Sequence, residues 1–208
     1  MHNPFDIISK NEDLRIGGLG DSLTYGWEVE RGFFDRFCNG LASRHPRTSL
    51  VRLNEGVPGD TARGGLARLP AMLSQSPHLL LVQFGLNDMF CGIPVSSYAE
   101  SLAGIVDQAM EAGVRPWLVV SSPLALPREE SLARAYYDAI RELGHDRGVT
   151  VADLDAFWRS RFDPGRPEGR LFLADGVHPD DAGHALMADG LLVHWDLEAE
   201  KFSEGSNK

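Results

Sequence analysis

The sequence predicts a doubly wound α/β sandwich, and three observations support this fold class. Two of five candidate strands, Leu79–Val82 and Trp117–Val120, are apolar without interruption, which is typical of strands buried on both faces of a parallel sheet. Segments with apolar residues at helical spacing separate the candidate strands. The strands begin roughly thirty residues apart, which is the size of a βαβ unit.

The individual elements follow from the same patterns. In chain order, the candidate strands are Leu14–Gly20, Ser49–Asn54, His78–Phe84, Arg115–Ser121 and Val149–Leu154. Apolar side chains at helical spacing predict helices over Phe33–Leu41, Leu66–Leu73, Tyr98–Met110 and Leu132–Leu143. Pro70 interrupts the second of these patterns, and Gly113 and either Gly144 or Gly148 are helix stops.

Length and composition indicate one ordinary globular domain. The chain has 208 residues, and we expect a single domain over residues 1–196, followed by a polar, frayed carboxyl-terminal tail over 197–208. The glycine- and proline-rich stretch Asp163–Gly169 is expected to be a surface loop near the functional site, either a plain connection or a substrate contact.

Charge and hydropathy restrict the partners and the compartment. A net charge of -10 disfavours nucleic acid and anionic membrane surfaces as partners. No apolar run approaches the length of a membrane span, and residues 1–13 do not have the pattern of a signal peptide, so a cytoplasmic location is expected. The two cysteines are too few to suggest a disulfide framework. The oligomeric state stays open.

Ser22 is the first candidate for chemistry. It lies in the segment Gly20–Gly26, where the first strand turns toward a helix, so its hydroxyl points to the crevice in which open α/β sheets bind ligands. A free serine is a poor nucleophile and requires a base and oxyanion donors elsewhere. Taken alone, the segment also fits a structural turn capped by a serine.

Two further polar clusters follow the second and third strands. Gly59 has no side chain, so its backbone N–H can approach a ligand, and either Asp60 or Thr61 can cap the next helix. Asn87 follows the third strand and can donate its amide to a developing oxyanion. In isolation, each cluster also fits a turn with a structural role.

The last cluster supplies a base. His178 precedes Pro179, which is expected at the first position of a helix. Asp175, three residues earlier, can accept a hydrogen bond from the imidazole and fix its tautomer. Because Ser22 needs a base, a catalytic role for this pair is favoured over a helix cap.

Taken together, the four clusters resemble the sequence blocks of the GDSL, or SGNH, hydrolase superfamily. Gly20–Leu23 is similar to its Gly-Asp-Ser-Leu block, and Gly59 to its second-block glycine. Gly85–Asp88 is similar to its Gly-x-Asn-Asp block, and Asp175–His178 to its Asp-x-x-His block. The blocks occur in the family's order over residues 20–179, and nothing departs from the pattern at these positions.

The resemblance implies a three-layer α/β/α fold with a flavodoxin-like sheet of five parallel strands. It implies hydrolysis of carboxylic esters, or as an alternative thioesters or lysophospholipids, without a cofactor or metal. It also implies a triad of Ser22, His178 and Asp175, and oxyanion donors from the backbones of Ser22 and Gly59 and the side chain of Asn87. Short-chain acyl, aryl and acetylated-carbohydrate esters all stay open as substrates. The side chains expected to line the pocket are Tyr25, Trp27, Leu86, Met89, Phe90 and Ile93.

Several rival interpretations remain at this point. A non-catalytic, flavodoxin-like binding module would leave Asp175 and His178 without a role, and a degenerate hydrolase acting as a scaffold would not need an intact triad. A metal bound by Asp175, Asp180 and His184 is a further alternative. Cys91 has no separate base, so a small buried apolar role is expected for it.

Overall fold

The computed structural model describes residues 3–163 and 171–205 of the chain and contains one sheet of five parallel strands. The strands are β1 Leu14–Gly20, β2 Leu50–Gly56, β3 Leu79–Gln83, β4 Arg115–Val120 and β5 Thr150–Asp153. Their order in the sheet is β2-β1-β3-β4-β5, so β1 lies between β2 and β3. All five predicted strands are confirmed, with ends that shift by one or two residues.

Helices connect the strands and cover both faces of the sheet. In chain order they are α1 Pro4–Ser9, α2 Ser22–Tyr25, α3 Phe33–Arg44, α4 Ala62–Ser74, α5 Leu86–Phe90, α6 Val95–Glu111, α7 Pro127–Arg147, α8 Leu154–Arg161 and α9 Asp181–Gly205. α4, α6 and α7 pack side by side, and α3 and α8 both pack against α9. The chain therefore has a three-layer α/β/α fold.

Two glycines in β1 show how the layers separate. A Cβ atom at Gly17 would lie 2.8 Å from the sulfur of Met72 on α4, whereas one at Gly18 would lie 2.8 Å from the ring of Phe34 on α3. Successive strand residues point to opposite faces, so α4 and α3 cover opposite sides of the sheet. Both helices pack so closely that β1 has no room for side chains there.

The core consists of two apolar layers, one between the sheet and each layer of helices. Its largest fully buried side chains include Trp117, Trp158, Tyr98, Tyr137, Phe33, Phe34, Phe37 and Phe84. Trp117 comes from one of the two uninterrupted apolar runs, and every residue of the other run is buried. This agrees with strands covered on both faces.

Two expectations about the helices need correction. Pro70 lies inside α4 rather than interrupting it; the residue is exposed, and the helix continues to Ser74. The carboxyl-terminal segment does not become irregular at residue 197, because α9 continues to Gly205. The Phe202 ring stacks on Phe5 of α1 at 5.8 Å, which gives this polar stretch an apolar anchor.

Two other expectations concern the loop before α9 and membrane-spanning segments. Most of the loop predicted over Asp163–Gly169 falls outside the described residues. Every helix within residues 3–163 and 171–205 is too short or too polar to span a membrane.

The end of β2 packs against the backbone of α2, which suggests a stability test. A Cβ atom at Gly56 would lie 2.2 Å from the backbone nitrogen of Tyr25. Because backbone cannot rotate away, Gly56→Ala should lower the free energy of unfolding by about 1–3 kcal/mol, as overpacking usually does. Denaturant unfolding measures this change.

Gly104→Ala is the matched control. A Cβ atom at Gly104 would meet only the tip of the Leu66 side chain, at 3.2 Å, and alanine favours the helical conformation. This variant should be neutral or stabilising. Equal effects of the two substitutions would contradict the packing at Gly56.

Candidate active site

The turn after β1 presents Ser22 at the carboxyl end of the sheet. Asp21 caps α2 by accepting a hydrogen bond from Leu23 N–H at 2.9 Å. The helix has a single turn, because Gly26 adopts a left-handed conformation with φ of 86° and ends it. Ser22 is the first helical residue, and its N–H belongs to the turn in which backbone donors lack an intrahelical acceptor.

His178 lies on a loop that folds back on itself before α9. Phe172 and Pro179 form an antiparallel bridge, and Leu173 N–H donates to the His178 carbonyl at 2.8 Å. The expectation that Pro179 occupies the first position of a helix is wrong, because α9 begins at Asp181. Asp180 comes directly before α9, and its side chain accepts a hydrogen bond from Gly183 N–H in the first turn of that helix.

The structure brings Ser22, His178 and Asp175 into one chain of hydrogen bonds. Ser22 Oγ lies 2.8 Å from His178 Nε2, and His178 Nδ1 lies 2.6 Å from Asp175 Oδ2. A carboxylate beside Nδ1 favours the tautomer with its proton on that atom, so Nε2 can accept the hydroxyl proton.

The carboxylate of Asp175 is held in its charged form. Partial burial raises its pKa, but the His178 imidazole and the backbone N–H groups of His178 and Val177 donate to it and outweigh burial. The pKa of Asp175 therefore lies below its ordinary value. An ionised Asp175 can both orient the imidazole and stabilise its protonated form.

The two other predicted oxyanion donors follow β2 and β3: Gly59 lies in the loop after β2, and Asn87 lies in α5, shortly after β3. The register pairs Gly20 with both Gly56 and Gln83, so these segments flank the Ser22 turn. Gly59 has φ of 80°, and among the described residues, its chain neighbours aside, none has an atom within 4 Å of the position that a Cβ atom would occupy there. Asn87 donates one amide N–H to the Asp60 carbonyl at 3.0 Å, and its second N–H is available to a ligand.

This chain matches the GDSL-like lipase/acylhydrolase family over residues 19–186, which is most of its length. The chain belongs to that family. As a member, it is a hydrolase that acts on ester bonds, and the alternative of a non-catalytic binding module is wrong.

Individual relatives agree with this assignment. The chain is 35% identical to an esterase named TesA from Pseudomonas aeruginosa, with 83% of each chain covered. It is 34% identical to thioesterase 1/protease 1/lysophospholipase L1 of Escherichia coli, covering 82% of this chain and 78% of the relative. Its fold resembles an acetylxylan esterase from Geobacillus stearothermophilus, with a TM-score of 0.75, 17% identity, and 87% and 93% of the two chains covered.

Sequence reasoning overlooked Asp88, the last residue of the family's third block. Asp88 is 1% exposed, and both its carboxylate oxygens lie 3.2 Å from the Ala62 N–H at the start of α4. Burial raises the pKa of Asp88, and the Ala62 N–H opposes this rise. The residue joins the loop after β3 to the loop after β2. An acidic residue directly after Asn87 was the available signal.

Asp21 is the second overlooked acid, and it lies beside the nucleophile turn. Its side chain is 1% exposed and also accepts a hydrogen bond from the Gln83 amide at 3.2 Å. Gln83 in turn accepts from the Thr24 hydroxyl and donates to Ser121. Burial raises the pKa of Asp21 to about 7, although the Leu23 N–H and the Gln83 amide oppose the rise.

The side chains expected to line a substrate pocket divide into two groups. Tyr25, Trp27 and Phe90 are 54%, 38% and 49% exposed, and the Trp27 ring lies 6.3 Å from the His178 ring. Leu86 and Met89 are buried at 2% and 8% exposure in the core cluster, so they offer little surface to a substrate. They share a helix with Phe90, and its inner face packs into the core.

Ile93 also packs partly against the core, and its carbonyl accepts a hydrogen bond from Tyr136.

Two cavities of about 520 and 270 Å³ lie near the start of β5, at the edge of the sheet opposite Ser22.

The metal alternative fails on the position of His184. This residue is 1% exposed, accepts the Phe33 N–H at 3.1 Å through Nδ1, and stacks on the Phe33 ring. Burial, and next the Arg36 guanidinium, lower the pKa of His184 to about 4. Among the residues that the structure describes, no group of three or more His, Cys, Asp or Glu side chains is placed to hold a metal ion.

Cys91 is exposed, which corrects its expected burial.

The raised pKa of Asp21 predicts how stability depends on pH. An unfolded aspartate ionises near pH 4, whereas folded Asp21 keeps its proton until about pH 7. The folded state thus binds more protons in this window, so the contribution of Asp21 to stability is full below about pH 4 and is lost as pH rises through about 7. An asparagine side chain in its place would not titrate.

Denaturant unfolding of wild type and Asp21→Asn at several pH values tests this linkage. Between pH 5 and pH 7, the unfolding free energy of wild type should fall by roughly 2 kcal/mol relative to the variant. Parallel curves over this range would contradict a raised pKa at Asp21.

Proposed function

We propose that the chain is a serine esterase that forms an acyl-enzyme on Ser22. His178 is the general base and acid, and Asp175 orients it. The observation that carries the proposal is the unbroken hydrogen-bond chain from Ser22 Oγ through His178 to Asp175, with distances of 2.8 and 2.6 Å. Family membership supplies the class of reaction, ester hydrolysis, that these three residues would catalyse.

In the first step, Ser22 Oγ attacks the ester carbonyl carbon while its proton moves to His178 Nε2. The carbonyl electron pair moves to the oxygen, which becomes an oxyanion. The N–H groups of Ser22 and Gly59 and the free amide N–H of Asn87 are the proposed donors to this oxygen. Donors fixed in place before the reaction stabilise the charge at little reorganisation cost.

In the second step, the tetrahedral intermediate collapses. The bond to the leaving oxygen breaks, and the proton on His178 Nε2 moves to that oxygen, which leaves as the alcohol. A water molecule then gives one proton to His178 Nε2 and attacks the acyl carbon. The bond between that carbon and Ser22 Oγ breaks, Oγ takes the proton from His178, and the acid is released. This route uses no cofactor and no metal.

The surface around the site favours small acyl groups on aryl or carbohydrate alcohols. Leu86 and Met89 are buried, so the helix that carries Asn87 offers little apolar surface for a long acyl chain. Tyr25, Trp27 and Phe90 are exposed beside the site, and flat aromatic rings can pack on an aryl ring or a sugar.

Thioester or lysophospholipid hydrolysis is the second candidate, because the Escherichia coli relative is named for both activities. The net charge of -10 is unfavourable for phosphate-bearing acyl carriers. The expected cytoplasmic location and the absence of nucleic-acid partners stay predictions.

Substitution of the proposed nucleophile tests the mechanism. Ser22→Ala should lower kcat for p-nitrophenyl acetate by ~10⁴-fold or more, because the attacking atom is removed. Ser43→Ala is the matched control, since this exposed serine donates to the Asn39 carbonyl within its own helix, α3, and its substitution should leave kcat unchanged. Steady-state kinetics measures both.

A Ser22→Ala variant with substantial activity would refute the assignment. The same assay with p-nitrophenyl esters of increasing chain length, acetylated sugars, lysophospholipid and acyl-CoA ranks the substrates. A preference for long-chain or CoA esters would favour the second candidate.

A further inference from the structure

Arg68 on α4 makes three hydrogen bonds to three separate segments around the site. Its Nε donates to the Asp60 carboxylate at 2.7 Å, its Nη1 to the Glu55 carbonyl at 2.6 Å, and its Nη2 to the Gly20 carbonyl at 2.8 Å. The side chains of Arg68 and Asp60 are 24% and 14% exposed, so this ion pair is largely shielded from water. Sequence reasoning gave Arg68 no role.

Two of these three partners, Gly20 and Asp60, lie next to proposed oxyanion donors. Gly20 ends β1 two residues before Ser22, and Asp60 directly follows Gly59. The Asp60 carbonyl accepts the amide of Asn87 at 3.0 Å. One guanidinium therefore connects, directly or through Asp60, with the segments that hold all three donors.

The geometry requires an arginine rather than a simple positive charge. The paired register ends at Gly20 and Gly56, with one more backbone hydrogen bond, from Val57 N–H to the Gly20 carbonyl at 3.0 Å, so the loops beyond need side-chain contacts to keep their spacing. A planar guanidinium presents its N–H groups in fixed directions, which suits three acceptors on three segments. A lysine ammonium keeps the charge but lacks this fixed fork.

We propose that Arg68 is a positioning residue that sets the spacing between the Ser22 turn and the Gly59 turn and, through Asp60, the orientation of Asn87. This inference rests on the proposed function, since it assigns Arg68 to the oxyanion donors of that mechanism. Arg68 does not touch the substrate. It acts on the transition state alone, because it fixes donors whose charge-stabilising role begins when the oxyanion forms.

The substitution Arg68→Lys separates positioning from mere folding. It should lower kcat for p-nitrophenyl acetate by ~10- to 100-fold, the size expected for a small misplacement of catalytic groups, while KM stays within about threefold. The rate of inactivation by an organophosphonate should fall similarly, because its phosphoryl oxygen needs the same donors. Circular dichroism and thermal unfolding establish that the variant is folded at the assay temperature.

Arg147→Lys is the matched control. Arg147 also lies on a helix and binds a carboxylate with two N–H groups, at 2.8 and 3.2 Å from Asp107, but it lies at the end of α7 that precedes β5. Its substitution should leave kcat unchanged. If Arg68→Lys does not fold, Asp60→Asn removes the charge of the partner but keeps the carbonyl that binds Asn87, and kcat should fall in the same direction.

A double-mutant cycle with Asn87→Ala gives the sharpest test. If Arg68 acts in part by orienting Asn87, Arg68→Lys should cost clearly less in kcat when Asn87 is already alanine. Wild-type kcat in Arg68→Lys, an equal loss in Arg147→Lys, or full additivity with Asn87→Ala would overturn the inference. Ser22→Ala, assayed in parallel, separates the two claims: if that variant is active, the proposed function fails, whatever the behaviour of Arg68.

Discussion

The hydrogen bond between Ser22 and His178 depends on a sheet in which all strands run parallel. The two residues are 156 positions apart in the chain, yet Oγ and Nε2 lie 2.8 Å apart. Parallel strands place every β-to-α turn at one edge of the sheet, so distant segments can supply separate catalytic groups there. β1 is central to this arrangement because it pairs with both β2 and β3. The three proposed oxyanion donors follow these same three strands.

Buried polar contacts then fix the loops at that edge. Asp88 accepts the first N–H of α4, and Asp21 accepts from the turn that holds Ser22. Arg68 binds the end of β1, the end of β2 and the loop after β2. A buried carboxylate is costly unless its oxygens are satisfied, so each acid holds the backbone group that donates to it. The low-dielectric surroundings strengthen these bonds. These structural contacts therefore lie next to the proposed catalytic residues.

The strands and the candidate site residues could be predicted because their signals are local. Uninterrupted apolar runs indicated β3 and β4. Either Asp60 or Thr61 was expected to cap α4, and Thr61 is the residue that does so. The short helices α1 and α8 gave no long periodic pattern. The position of Pro179 could not be read from the chain, because the bridge between Phe172 and Pro179 depends on how the loop folds back. Burial of Leu86 and Met89, and the three partners of Arg68, depend on tertiary packing in the same way.

The central claim is that ester hydrolysis proceeds through a covalent intermediate on Ser22. Rapid mixing of the protein with p-nitrophenyl acetate, quenching in acid and mass spectrometry of the digested protein test it directly. An acyl-enzyme on Ser22 predicts a burst of p-nitrophenol and an acetyl group on the peptide that contains Ser22, with no such adduct in Ser22→Ala. Turnover without any acetylated peptide under conditions that show a burst, or an acetyl group on a different residue that persists in Ser22→Ala, would contradict it.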